Sequence, residues 1–189
     1  MNFLDKYDNE KNIRFPFFKR ALQIAHDREL KIFVETGTSR GKEKFFFFKK
    51  INWKDGMSTL IFADFVSKID GELHTCDISE KNINNAKDFT KEFSKNIFFY
   101  IDDSINFLKN FKSCIDFLYL DSFDGHNVEL ASKHQLKEAQ NALDKLNDKS
   151  IIMLDDKGAK TLYSLNFLAE NGFKPIHESE NQILLSRYK

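Results

Sequence analysis

Three aspartates have the clearest chemical potential in this sequence. Asp121 ends the apolar run 115–121, and Asp155 and Asp156 end the apolar run 151–156. If the two runs are neighbouring parallel strands, their carboxyl ends lie side by side at one sheet edge. Carboxylates gathered there repel one another, so they must be paired, protonated or bound to a metal. Ligand sets made only of oxygen predict Mg²⁺, Ca²⁺ or Mn²⁺ rather than zinc.

A glycine-containing loop follows the first apolar run of the chain, Glu35-Thr36-Gly37-Thr38-Ser39-Arg40-Gly41. Open α/β sheets bind ligands at this strand end. Gly37 permits a tight turn and Gly41 the close approach of a ligand, while Glu35 places a carboxylate at the strand end. The glycine spacing differs from the GxGxxG fingerprint, which disfavours a nicotinamide cofactor.

Further polar residues follow two other predicted strands. Asp77 directly follows the run 72–76, and Asp103-Ser104 follows 97–101. Asp77 is placed to accept hydrogen bonds from ligand hydroxyl groups. Asp103 is placed either to contact a ligand or to cap the next helix, and both roles stay open.

Candidate general bases lie beyond Asp121. His126 is on the following loop and could act near neutral pH. His134 and Glu138 lie one turn apart on the next predicted helix and form a second candidate pair. For each histidine, a surface or helix-face position without a catalytic role is an equal alternative.

The order of elements predicts the scaffold that positions these groups. Apolar runs alternate with amphipathic stretches from residue 31 onward, which is typical of βα units around a mostly parallel sheet. Residues 1–30 predict one or two helices packed on the sheet edge, because Phe15, Phe18, Leu22 and Ala25 recur at helical spacing. The predicted strands are 31–34, 72–76, 97–101, 115–120 and 151–154, with an antiparallel pair at 173–177 and 182–186, and the predicted helices are 58–68, 80–93, 104–111, 129–146 and 160–170. Ser58 and Thr59 are expected to cap the first of these helices.

Composition narrows the class of protein. The 189 residues fit one domain, 1–189, and 29 basic against 29 acidic side chains leave no net charge to attract polyanions. No secretory signal or membrane-length apolar run is present, so we expect a cytoplasmic protein. Cys76 and Cys114 lie in apolar runs and are expected to be buried free thiols.

An aromatic and basic insertion, 42–57, separates the glycine loop from its helix. Its position over the ligand-binding edge predicts a lid. Its lysines and Trp53 could bind an anionic or sugar substrate through charge and stacking. A short hydrophobic hairpin or an oligomer contact is the alternative.

The ordered set Glu35/Gly37, Asp77, Asp103, Asp121 and Asp155-Asp156 resembles the class I S-adenosylmethionine-dependent methyltransferases over about residues 31–187. The resemblance implies an α/β fold, with a doubly wound, seven-stranded, mostly parallel Rossmann-like sheet and a C-terminal antiparallel hairpin. It implies S-adenosylmethionine as cofactor, with Asp77 on the ribose and Asp103-Ser104 on the adenine. The implied cofactor contacts are Glu35, Gly37, Thr38, Gly41, Asp77, Ile78, Asp103, Ser104 and Asp121.

The aspartates after strands four and five are similar to those of catechol-type, metal-dependent O-methyltransferases. This resemblance implies a cation on Asp121, Asp155 and Asp156 that orients two substrate oxygens and lowers a hydroxyl pKa. The chain departs from that family, because the segment 122–126 lacks the lysine expected shortly after the strand-four aspartate. The segment 134–138 also looks like that of bacterial and sugar O-methyltransferases. If no metal binds, the aspartate pair is the alternative cap of the next helix.

We therefore expect a methyltransferase that acts on a small-molecule or sugar hydroxyl with help from a divalent metal. We expect no nucleic-acid or membrane partner, and a homo-oligomer is left open. Two alternatives remain. One is another nucleotide-dependent enzyme on a similar sheet, such as an oxidoreductase, and the other is a non-catalytic domain that assembles through the Phe-rich insertion.

Overall fold

A seven-stranded sheet with helices on both faces organises the chain. The computed structural model describes residues 2–45 and 48–187. The described strands are β1 (Ile32–Thr36), β2 (Lys42–Phe45), β3 (Phe48–Ile51), β4 (Glu72–Asp77), β5 (Ile97–Ile101), β6 (Ile115–Leu120), β7 (Leu146–Leu154), β8 (Lys174–Glu178) and β9 (Ile183–Ser186). The described α-helices are α1 (Phe15–Asp27), α2 (Ser58–Lys68), α3 (Glu80–Phe89), α4 (Ser104–Asn110), α5 (Val128–Ala142) and α6 (Ser164–Glu170).

The strand order is β5-β4-β1-β6-β7-β9-β8. Strands β5, β4, β1, β6 and β7 are parallel, β9 pairs antiparallel with β7, and β8 pairs antiparallel with β9. The predicted doubly wound sheet with a C-terminal antiparallel pair is therefore confirmed. The chain leaves β1 toward β4 on one side and returns to β6 on the other. This reversal opens a crevice at the carboxyl ends of β1 and β6.

Aromatic side chains fill one side of the sheet. Phe33 of β1 stacks on Phe117 of β6 at a centroid distance of 4.6 Å, and Phe62 of α2 packs against both rings. Tyr119 and Phe18 complete this cluster with edge-to-face contacts. Burial of one such side chain contributes about 1.5–3 kcal/mol. The opposite side of the sheet is covered by α4, α5 and α6 over aliphatic strand residues.

Helix α1 lies over the face of the sheet, not at its edge as the sequence led us to expect. Phe15, Phe18, Leu22 and Ala25 are buried as predicted. They join a core cluster that contains residues of β1, β6, β7 and β9. The apolar stripe of α1 needs a broad apolar surface, and the middle of the sheet provides it. This placement brings the start of α1 near the carboxyl end of β7.

The start of helix α6 differs from the prediction. Helix α6 begins at Ser164 rather than at residue 160, because a turn with backbone bonds from Ala159 and Lys160 to the Asp156 carbonyl precedes it. Its N-cap, Tyr163, makes no side-chain cap, so Asp155 and Asp156 do not cap this helix.

Two local predictions are also corrected. Ser58 and Thr59 do not cap α2, since its N-cap is Met57 and their hydroxyls bond elsewhere. Cys76 is buried as expected, but Cys114 precedes β6 and is exposed. In the part of the chain that the structure describes, no helix has the length and apolarity needed to cross a membrane.

The 42–57 insertion contains an antiparallel hairpin of β2 and β3, closed at its base by a bond from Asn52 N–H to the Gly41 carbonyl. Residues 46–47 and the side chains of 42–50 lie outside the described residues, so the proposed lysine and phenylalanine contacts stay predictions. Trp53 follows the hairpin and is partly buried, with its ring 6.4 Å from that of Tyr7. It therefore packs on the core, and its role in substrate stacking is not supported by this position.

Candidate active site

A cavity of about 590 Å³ lies at the carboxyl edge of the parallel strands. The loops after β1, β4, β5, β6 and β7 all contribute to its wall. This is the edge where open α/β sheets bind ligands, and the volume is that of a small-molecule site. The lining residues with polar side chains include Arg14, Thr38, Arg40, Asp77, Asp103, Ser104, Asp121, Ser122, His134, Asp155, Asp156 and Lys160.

The glycine loop turns sharply against the end of β6. Gly37 has φ +83°, and a Cβ atom there would lie 2.4 Å from the backbone oxygen of Asp121. Glycine is therefore required both for the conformation and for the close approach of the two strand ends. Gly41 also has positive φ, but the ring of Phe89 fills the adjacent space. Gly37 and Thr38 line the cavity, whereas Gly41 packs against α3.

Glu35 anchors this loop from beneath the cavity. Its carboxylate is fully buried and accepts hydrogen bonds from Ser58 Oγ at 2.5 Å, Thr59 Oγ1 at 2.7 Å and Thr75 Oγ1 at 2.6 Å. Burial raises the pKa of Glu35 to about 7, although these three hydrogen bonds oppose the shift. Glu35 thus ties β1, β4 and α2 together and is not among the described residues that line the cavity.

Asp77 and Asp103 stand at the starts of α3 and α4. Asp77 accepts from Ser79 N–H at 2.7 Å and from Asn82 Nδ2 at 3.1 Å. Asp103 caps α4 by accepting from the N–H groups of Ile105 and Asn106. A carboxylate has about four lone-pair sites, so each side chain can still accept hydrogen bonds from a ligand. Both line the cavity, which means that the cap and ligand roles of Asp103 are compatible.

Asp121, Asp155 and Asp156 come together as the sequence predicted. One oxygen of each lies within 4.8 Å of the others. Lys160 Nζ is 2.9 Å from both Asp121 Oδ1 and Asp156 Oδ2. Arg14 holds Asp155 through Nε and a terminal nitrogen, at 3.3 Å and 3.2 Å. The cluster therefore contains two cationic side chains as well as three carboxylates.

The protonation of this cluster follows from its burial. Desolvation, together with the charges of Asp121 and Asp156, raises the pKa of Asp155 to about 8 against the opposing effect of Arg14. Burial alone would lower the pKa of Lys160, but Asp121 and Asp156 raise it above its ordinary value. Lys160 is thus an ammonium at neutral pH.

A divalent cation fits this arrangement poorly. The oxygen donors have the right chemistry, but each carboxylate already pairs with Lys160 or Arg14. A bound cation would need the same oxygens and would have to displace the ammonium. Two unit charges 4 Å apart repel by about 4 kcal/mol at an effective dielectric constant of 20. A metal ion at this cluster is therefore not part of the chemistry that we assign to the site.

A family model described as a methyltransferase domain matches residues 53–157, which is more than half of the chain. The chain belongs to this methyltransferase family. The matched region spans α2 to the end of β7 and includes Asp77, Asp103, Asp121 and the aspartate pair. A comparison with curated proteins finds no significant match.

Solved structures, methyltransferases among them, share the fold of this domain. SAH-bound PaMTH1 of Podospora anserina has a TM-score of 0.65 at 14% identity, covering 99% of this chain and 92% of its own. SMU.1697c of Streptococcus mutans, in complex with SAH, gives 0.59 at 12% identity over 87% and 96%. TrmN of Thermus thermophilus gives 0.64 at 17% identity over 98% and 52%. At these identities the likeness establishes a Rossmann-like methyltransferase fold.

The predicted bases of this methyltransferase domain occupy different environments. His134 lines the cavity and lies 2.8 Å from Ser104 Oγ, at the α4 side. Glu138 is buried behind it and accepts from Ser122 Oγ at 2.5 Å. His126 is exposed on the loop after β6. Within the described residues, neither Glu138 nor His126 lines the cavity, and the base assignments stay predictions.

The sequence reasoning missed the two cations of the aspartate cluster. Lys160 had a usable signal, since it stands four residues after Asp156, the spacing of one helical turn. Arg14 had none, because its contact with Asp155 joins residues 141 positions apart. Of the predicted cofactor contacts, the structure places Gly37, Thr38, Asp77, Ile78, Asp103, Ser104 and Asp121 on the cavity wall.

Proposed function

We propose that this methyltransferase domain transfers a methyl group from S-adenosylmethionine to an oxygen nucleophile of a small molecule, such as a sugar hydroxyl. The cavity is the observation that carries the proposal. It joins the glycine loop and the acids after β4 and β5 to the ion-paired aspartate cluster in one space of about 590 Å³. One part of that space suits a nucleoside, and the other suits a polar acceptor.

The nucleoside end has both the polar and the apolar groups that such a ligand needs. Asp77 is proposed to accept hydrogen bonds from the ribose hydroxyls with its remaining lone pairs. Ile78 is 77% exposed beside the cavity, so an aromatic base could cover its apolar surface. Asp103 and Ser104 are proposed to contact the adenine edge. When bound, S-adenosylmethionine supplies a methyl group on an electrophilic sulfonium centre.

The acceptor end is proposed to lie at Asp121, Asp156 and Lys160. A carboxylate there can accept the proton of a hydroxyl group, and the Lys160 ammonium can stabilise the resulting oxyanion. The net charge of zero supports a small acceptor, because polyanion binding draws on an excess of basic groups. The structural neighbours include RNA methylases, so RNA is the alternative acceptor that an experiment must distinguish.

Calorimetric titration of S-adenosylhomocysteine tests the cofactor assignment. We expect a dissociation constant in the micromolar range, about −8 kcal/mol, and no comparable binding of NAD. The titration should be repeated with EDTA and with Mg²⁺. Binding of NAD alone, or of neither ligand, would remove the cofactor assignment.

Transfer of radiolabelled methyl groups tests the acceptor class. The protein is incubated with labelled S-adenosylmethionine and, separately, with hydroxylated small molecules, sugars and total RNA. We expect label in a hydroxylated small molecule or sugar. Label in RNA alone would contradict the proposed acceptor while leaving the cofactor assignment intact.

A further inference from the structure

A buried ammonium stands among the aspartates at the end of β7. The Lys160 side chain is 4% exposed, and its Nζ lies 2.9 Å from oxygens of both Asp121 and Asp156. These are the lengths of charge-assisted hydrogen bonds. Lysine is rarely buried to this degree unless it is paired, and here two carboxylates from different strand ends pair with it.

Arg14 adds a second positive charge from the opposite direction. Its guanidinium contacts both oxygens of Asp155 and lies 3.6 Å from Asp156 Oδ1. A bond of 3.0 Å from the same guanidinium to the Lys54 carbonyl fixes its orientation. Even with all three aspartates ionised, the two cations leave one formal negative charge, so most of the repulsion among the aspartates is already offset.

The ammonium and a divalent cation would compete for the same atoms. Mg²⁺ and Ca²⁺ bind carboxylate oxygens at about 2.0–2.6 Å and require several of them at once. Lys160 bonds to one oxygen each of Asp121 and Asp156, Arg14 contacts both oxygens of Asp155, and the other Asp121 oxygen accepts from the Tyr119 hydroxyl. Arginine cannot lose its charge in a protein, so a metal would also face a permanent cation.

We propose that Lys160 occupies the cation position of this cluster, so that an ammonium rather than a divalent ion offsets the charges of Asp121 and Asp156. Two of its three N–H groups bond to Asp121 and Asp156. The third is available to a ligand, since Lys160 lines the cavity. One ammonium does not chelate two oxygens, so the acceptor needs no vicinal diol. The cation position itself does not depend on the proposed cofactor.

Mn²⁺ binding, followed by electron paramagnetic resonance of the free ion, tests this placement. The wild-type protein should bind no Mn²⁺ tighter than about 1 mM at pH 7.5. Lys160→Met removes the ammonium while keeping an unbranched side chain, and it should tighten Mn²⁺ binding by at least about tenfold. Adding Asp156→Asn to this variant should abolish the gain. Lys157→Met, at a lysine that pairs with Glu178 instead, is the matched control and should behave as wild type.

Two results would overturn the proposal. One is micromolar Mn²⁺ binding by the wild type that is lost in Asp156→Asn. The other is a folded Lys160→Met protein, judged by circular dichroism, that gains no Mn²⁺ affinity. If Lys160→Met does not fold, Lys160→Gln, which keeps hydrogen-bond donors, takes its place. The same gain in Mn²⁺ affinity is then expected, and its absence in the folded variant would overturn the proposal.

Discussion

Replacement of Glu35 by glutamine should change how the stability of the protein depends on pH. The buried carboxyl has a pKa of about 7 in the folded protein, against 4.5 as its ordinary value. Between these values the folded state holds a proton that the unfolded state has released, so stability falls as pH rises. The contribution is fully present below pH 4.5 and is lost as pH rises through 7. A shift of this size corresponds to about 3 kcal/mol.

Glu35→Gln should remove this slope. The amide can donate to Ser58 Oγ, whose proton can then turn to Ser39 Oγ, 2.9 Å away. The amide oxygen can still accept from Thr59 and Thr75. The variant should therefore gain stability relative to wild type as pH rises, by about 3 kcal/mol between pH 4.5 and 8.

Urea denaturation of both proteins at pH 4.5, 5.5, 6.5, 7.5 and 8.0 measures this difference. Other titrating groups, including Asp155, contribute equally to both proteins and cancel in the difference. The value at pH 4.5 is the internal control, because Glu35 is then neutral in the folded protein and only half ionised in the unfolded chain, so packing accounts for most of the difference. A difference that stays constant over the whole range would refute the argument that Glu35 is held protonated by burial.

Three further substitutions test the site and its scaffold. Gly37→Ala should weaken S-adenosylhomocysteine binding at least tenfold by calorimetry and lower the melting temperature, because its Cβ would meet the Asp121 backbone. The control is Gly158→Ala, which is also at positive φ but has open space around it and should leave binding unchanged. Equal losses of binding in both variants would contradict the steric argument. Asp77→Asn should weaken the same binding about tenfold or more, and an unchanged dissociation constant would remove the ribose role. Phe33→Ala should lower the free energy of unfolding in urea by about 3–5 kcal/mol, and a loss under 1 kcal/mol would contradict the tight packing on Phe117.

The sheet and the acidic residues at its edge could be predicted because short patterns of neighbouring residues indicate both. Apolar runs of four to six residues, each ended by an acidic residue, identify strands and place Asp77, Asp121 and Asp155 at the same edge. Helix ends were less accurate, since the turn before α6 and the short 3₁₀ segments after α3 and α5 use the same residues that a continuous helix would use.

Contacts between residues far apart in the sequence could not be predicted. The charge state of the aspartate cluster depends on Arg14, which reaches Asp155 only because α1 packs over the face of the sheet. No pattern within residues 1–30 indicates that contact. The burial of Cys114 was predicted wrongly although the start of β6 was predicted correctly, because Cys114 lies one residue before the strand and the sheet does not cover it.

The position of Glu35 explains how this methyltransferase domain can keep an acidic strand end beside its aspartate cluster. Asp121 is one of the charges that raise the pKa of Glu35, so a second ionised carboxylate here would add repulsion at the base of the cavity. The hydroxyls of Ser58, Thr59 and Thr75 can serve either protonation state, because each hydroxyl both donates and accepts. Lys160 and Arg14 offset the remaining charges on the cavity side. The site thus separates two tasks: a buried acid held by three hydroxyls shapes the glycine loop, and ion-paired acids line the cavity.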